Sequence, residues 1–220
     1  MNAQFLGHST VKIQSDYCSV LIDPFFTGNP MACNTVDDFI ALDGMLLTHA
    51  CHKRLADAVT IAKATECQVV CTEAAAEWMK EQGVAPSQLV VMAWGETRHF
   101  PFGTVTVVPA KSGTETAGPI CGYVIEVEKH KVYHAGNTVL LPEMKDLSKM
   151  AIDLAFLPIG GETTMDVPAA VQACELIKAR EVCPVHYNTF PSISADPAAF
   201  KKAVKGSEVI ILQSSEKETL

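Results

Sequence analysis

The chain has 220 residues, 48% of them hydrophobic and 19% charged, which is enough apolar material for a substantial core. Its 17 Lys and Arg against 25 Asp and Glu leave a net charge of -8. That balance argues against a nucleic-acid binder or a protein of anionic membrane surfaces, while leaving room for a local basic pocket.

Residues Met1 to Ile13 carry no basic segment followed by an apolar run, and no stretch approaches the roughly 18 apolar residues of a membrane span. The expectation is one domain, 1–220, in the cytoplasm, with the eight cysteines as reduced thiols. Cys18, Cys67, Cys71, Cys121, Cys174 and Cys183 sit among apolar neighbours and read as small core residues.

In chain order, Gln4–Gly7, Thr10–Ile13 and Cys18–Asp23 are short β-rich runs separated by turn residues. Asp23-Pro24 closes the third, because proline holds the preceding residue out of helical geometry. Gly28, Asn29 and Pro30 mark a loop, and Gly44–Thr48 is a further buried strand. Leu55–Lys63 has helical spacing, with Leu55, Val59 and Ala62 on one face. Cys67–Cys71 is a strand, and Thr72 caps a helix that Gly83 stops. Strands follow at 89–92, 97–100, 104–108, 122–127 and 131–134. The last third alternates strand 154–157, helix 167–178, strand 182–185, helix 197–204 and strand 209–212. Two β-plus-α halves of this kind can stack their sheets face to face and keep their helices outside.

The polar residues gather after strand ends. They are His8, Asp23, His49 to Arg54, Lys111-Ser112, His134 to Asn137, Gly160 to Glu162 and His186 to Asn188. Such loops are where binding sites are built. For any one of them a cap or turn role is the simpler reading; Asp23 fits a turn cap, and His99 and His130 fit the surface. Several of them at one sheet end carry the functional expectation.

Leu6-Gly7-His8-Ser9, Leu21-Ile22-Asp23-Pro24-Phe25, Leu47-Thr48-His49, Tyr133-His134-Ala135-Gly136-Asn137-Thr138, Leu157-Pro158-Ile159-Gly160-Gly161 and Pro184-Val185-His186-Tyr187-Asn188 occur in that order. This series resembles the small metal-dependent hydrolases of the metallo-β-lactamase superfamily, in the branch similar to L-ascorbate-6-phosphate lactonase. The resemblance spans nearly the whole chain. It implies an αββα sandwich of the α/β (α+β) class, with a metal centre at the strand ends.

Carried over residue by residue, the implied ligand set is incomplete. The family's His-x-His-x-Asp-His motif falls on His49, Cys51, Lys53 and Arg54. A further ligand histidine falls on Ser112, the metal-bridging aspartate on Asn137, and a histidine frequent after Ile-Gly-Gly on Glu162; the last ligand survives as His186. His8, Asp23, His134 and Asn188 match supporting positions that orient loops by hydrogen bonds.

A dinuclear centre needs several neutral imidazoles and a carboxylate to offset its charge. Lys53 and Arg54 oppose it, since two unit charges about 4 Å apart repel by roughly 4 kcal/mol at an effective dielectric near 20, and a divalent ion doubles this. The expectation is a site without cofactor, non-catalytic or holding a small anion against Lys53, Arg54 and a helix N-terminus. The alternative is a hydrolase of a small ester, lactone or phosphorylated substrate, with one zinc or manganese on His49, Cys51 and His186. Self-association is a further expectation of the family. Cys51 could also be a nucleophile, with His49, His52 or His186 as base, but no residue of the sequence stands out as the third group.

Overall fold

The protein is described here by a computed structural model that covers residues 1–115 and 118–220, with residues 52–54 described in their backbone only. The N-terminal half runs β1 (Asn2–Phe5), β2 (Val11–Gln14), β3 (Ser19–Ile22), β4 (Gly44–Leu47), α1 (His52–Thr65), β5 (Gln68–Cys71), α2 (Glu73–Glu81) and β6 (Leu89–Val91). The C-terminal half runs β7 (Thr97–Phe100), β8 (Gly103–Ala110), β9 (Ile120–Val127), β10 (His130–His134), β11 (Leu154–Pro158), α3 (Val167–Ile177), β12 (Glu181–Val185), α4 (Pro197–Ala203), β13 (Glu208–Val209) and β14 (Lys217–Thr219).

Among the described residues these strands form two seven-stranded sheets, ordered β14-β1-β2-β3-β4-β5-β6 and β13-β12-β11-β10-β9-β8-β7. Each half begins with antiparallel hairpins and passes into parallel β-α-β units. The parallel strands are covered on both faces, which is why β4, β11 and β12 are buried throughout.

Side-chain alternation assigns the layers. Leu46 joins Phe5, Ile13 and Val20 and, from the other sheet, Tyr123, Ile125 and Phe156 in the core between the sheets. Its neighbours Met45 and Leu47 face outward to Leu55, Ile61 and Met79 of α1 and α2. On the second sheet, Ala155 and Leu157 pack outward against Ala173, Ile177 and Phe200 of α3 and α4. The result is the expected αββα sandwich.

Several elements differ from the sequence expectation: the last strand of the alternating tail is Glu208–Val209 rather than 209–212, and three other differences have a plain cause. Helix α1 starts at His52 rather than Leu55, because its first turn is polar and outside the apolar periodicity. A 3-10 segment at Pro142–Lys149 has no apolar repeat to announce it. Strand β14 is polar as well, and forms because it pairs the open edge of β1, with Ala3 opposite Glu218. The cysteines expected in the core are there, Cys18 at 8% exposure being the least covered. No helix among the described residues is long and apolar enough to cross a membrane.

Candidate functional site

The C-terminal ends of the parallel strands of both sheets meet at one end of the sandwich, and glycines bring them close. A Cβ at Gly136 would lie 2.7 Å from the Cys121 carbonyl oxygen and 2.9 Å from Thr48 Cβ. A Cβ at Gly160 would collide with the His186 carbonyl oxygen. Only glycine lets these loops touch. His8, Asp23, Glu162, His186 and Asn188 all lie in left-handed backbone, with φ from 45° to 58°. Each such non-glycine residue costs roughly 1 kcal/mol, and clustering of this strain is typical of sites held by surrounding structure.

The centre of the site is a chain of hydrogen bonds. Asp23, at the end of β3, accepts from the Thr48 N–H at 2.8 Å and from the Thr48 hydroxyl at 2.6 Å. It therefore ties β3 to β4 rather than capping its own turn. The single Thr48 hydroxyl proton is spent on that carboxylate, so at 2.8 Å the Thr48 oxygen accepts from His49 Nδ1–H. This fixes the His49 tautomer and leaves a lone pair on Nε2. The Asn137 side-chain nitrogen lies 3.5 Å from that Nε2. Asn137 Oδ1 is buried and has no hydrogen-bond partner among the described residues. Beside this chain is a cavity of about 20 Å³, close to the volume of one water, lined by His8, Asp23, Phe25, His49, Cys51 and Leu55 among others.

The supporting residues lock the surrounding loops. His134 is fully buried, which pushes its pKa down. It accepts from the Gly136 N–H at 3.2 Å and donates to the Ser9 carbonyl at 2.8 Å, so it is a neutral tie between β10 and the β1–β2 turn. The His8 ring lies 4.2 Å from the His186 ring, and its Nδ1 is 2.9 Å from Thr189 Oγ1. The His186 N–H donates to the His8 carbonyl at 2.6 Å. Asn188 holds the loop after β12 by bonds to both the N–H and the carbonyl of Ala195.

Of the residues singled out in the sequence, Asp23 and His49 are joined through Thr48, and Asn137 meets His49 at its other ring nitrogen. The His8 and His186 rings pack at a tilt beside them, and Cys51 shares the cavity. Ser112 serves its own loop, accepting from the Thr114 N–H at 3.3 Å. Glu162 is exposed and accepts from the Ser192 hydroxyl at 3.0 Å. The side chains of His52, Lys53 and Arg54 lie outside the described residues. Among the described residues, no three His, Cys, Asp or Glu side chains are grouped so as to hold a metal ion. Sequence reasoning assigned no role to Thr48 or Thr189; a threonine directly before a strand-end histidine, with an aspartate ending the neighbouring strand, was the available signal.

The sequence profile of the beta-lactamase superfamily domain matches residues 19–187. A UPF0173 metal-dependent hydrolase of Pyrococcus furiosus is 40% identical, with 96% of both chains covered. One from Thermococcus onnurineus is 41% identical, with 98% of both covered. Among solved structures, Igni18, a metallo hydrolase of Ignicoccus hospitalis, superposes with a TM-score of 0.89 at 30% identity, over 99% of this chain and 97% of that one. Fold, motif order and relatives agree, and the chain belongs to the metal-dependent hydrolase family of the metallo-β-lactamase superfamily.

Proposed function

We propose that this member of the metal-dependent hydrolase family uses its strand-end site to bind a small anion, a carboxylate or phosphate, without a dinuclear metal centre. The observation that carries the reading is Asn137, which faces His49 with a neutral carboxamide where the family's metal-bridging aspartate falls. A dinuclear centre needs carboxylate charge, and both oxygens of Asp23 already accept from Thr48. The described donors nearby are then imidazoles, the Cys51 thiol and an amide, with no carboxylate besides Asp23, a set that fits two divalent cations poorly. What remains favours negative charge. Helix α1 opens beside the site with no acidic residue in its first turn, and Lys53 and Arg54 occupy that turn in the sequence.

The test is a thermal-shift series with inorganic phosphate and small carboxylates on the full chain. Wild type is expected to gain Tm with anion concentration, as any ligand of the native state requires. The Lys53→Ala/Arg54→Ala double variant is expected to lose that gain. No shift in wild type, or an equal shift in the variant, contradicts the reading.

A second reading has one observation in its favour, since His49 and Cys51 line the same cavity. With His186 they could hold a single zinc or manganese in a hydrolase of a small ester, lactone or phosphorylated substrate, as the relatives' names suggest. The carboxamide at position 137 and the engaged Asp23 weigh against it.

A further inference from the structure

A second recess opens where the parallel strands β5 and β6 end, and it is large enough for an organic ligand. It lies between the start of α2 and the segment after β6, has a volume of about 370 Å³, and is lined by Glu73, Val91, Met92, Trp94, Pro119 and Cys121 among others. We propose that this recess binds the aromatic-amine end of a small molecule, with the ring against Trp94 and the ammonium facing the Glu73 carboxylate. The binding does not require an anion at the strand-end site.

Trp94 is 53% exposed, yet it is held in place from several sides. The Glu96 N–H donates to the Ala93 carbonyl at 3.1 Å, and the Ala93 N–H donates to the Glu96 carboxylate at 3.0 Å, which closes the turn that carries the ring. The Gly95 N–H donates to the Val107 carbonyl at 2.8 Å. The indole Nε1–H donates to the Ile120 carbonyl at 2.9 Å and sets the orientation of the ring. A large apolar surface presented to solvent in one fixed orientation loses little entropy when a ligand packs against it.

Size and charge select the occupant. The cavity beside His49 has room for about one water, so an organic body cannot enter it. The recess at Trp94 falls within the usual range of small-ligand pockets, about 300–1,000 Å³. Val91, Met92, Trp94 and Pro119 make its wall apolar, and among the described residues that line it Glu73 alone is charged. Trp94 and Pro119 also wall a neighbouring recess, where Lys111 and Glu115 carry opposite charges that offset each other. The sign is therefore set by Glu73. An ammonium gains from that carboxylate and from the face of the indole, whereas an anion gains from neither.

The recess also adjoins the hydrogen-bond chain already described. Cys121 lines it, and the Cys121 N–H donates to the Thr48 carbonyl at 2.9 Å. Thr48 in turn orients His49. A molecule seated on Trp94 thus lies one residue layer from the Asp23–Thr48–His49 chain.

The test uses phenethylamine, phenethyl alcohol and phenylacetate, which share a phenyl ring and differ in charge. Each is titrated into the isotope-labelled full chain at neutral pH. Binding is read by NMR from the Trp94 indole N–H and the Met92 backbone N–H, with the indole of Trp78, packed outside the first sheet, as the reference. Phenethylamine is expected to give saturable shifts at Trp94 and Met92 and none at Trp78. It should bind about fivefold more tightly than the alcohol, the worth of one exposed ion pair and one cation–π contact, and phenylacetate should bind most weakly. Glu73→Gln is expected to remove most of the advantage of the amine and leave the alcohol unchanged. Trp94→Ala is expected to abolish the saturable Met92 shift. No saturable shift at Trp94 with any probe overturns the proposal. So does the alcohol or phenylacetate binding as tightly as the amine in wild type, or an undiminished advantage of the amine in Glu73→Gln. Glu73 and Trp94 are both exposed, and the wild-type comparison of the probes decides the matter if a variant does not fold. Anion binding at the strand-end site is read with Lys53→Ala/Arg54→Ala instead, so the two readings fail independently.

Discussion

Thr48 has one hydroxyl proton and two neighbours competing for it, and the 2.6 Å contact to Asp23 settles which one receives it. The orientation of His49 follows from that choice. The buried threonine is thus a positioning residue, and its replacement by valine, nearly equal in volume, removes the bond while keeping the packing. Thr48→Val should cost about 1.5–3 kcal/mol, the usual worth of a hydrogen bond to a charged group, measured by urea unfolding. Thr48→Ser should recover most of that loss. A Thr48→Val variant as stable as wild type would show that Asp23 does not depend on the hydroxyl. At this scale the sequence is informative about candidates and poor about partners. His49, Asp23, Asn137 and His186 stand out because their types and places after strands are unusual. That Thr48 joins them was hidden, since threonine at a strand end is ordinary and its partner lies 25 residues away.

Among the elements, β12 shows how strand position tunes a side chain. Glu181 begins the strand, alternates with Cys183 and Val185 toward the space between the sheets, and is 9% exposed. Burial holds its carboxyl above the usual range; the Arg180 charge opposes this, and Glu218, Glu208 and Asp153 add to it. Its Oε2 has no hydrogen-bond partner among the described residues. Folding therefore favours the protonated form, a contribution present at acid pH and lost as pH rises through the raised value. At neutral pH the ionised group is a cost. Glu181→Gln should raise Tm by about 2 °C at pH 7. The gain should shrink as pH falls through the carboxylate range, where wild-type Glu181 takes up its proton. A gain that grows on acidification, or none at pH 7, contradicts this assignment. The central strands β4, β11 and β12 were legible because burial on both faces demands continuous apolar runs. The edge strand β14 was not, because Lys217–Thr219 is ordered by the open edge of β1 and not by its own composition.

At the scale of the molecule, two halves of similar construction stack their sheets so that strand ends from both converge, and the order of elements foretold this arrangement. The site inherits its position from the fold and its chemistry from a few side chains. The fold is that of metal-dependent hydrolases. In the reading proposed here, the side chains serve a different purpose. Asn137 in place of a carboxylate, an Asp23 engaged by Thr48, and Lys53 with Arg54 at the opening of α1 favour an anion over a pair of metals. The most direct measurement is the metal content of the full chain purified without chelator, by elemental mass spectrometry. The account predicts zinc, manganese and iron far below stoichiometry, unchanged in His49→Ala. Stoichiometric metal that disappears in His49→Ala would contradict it.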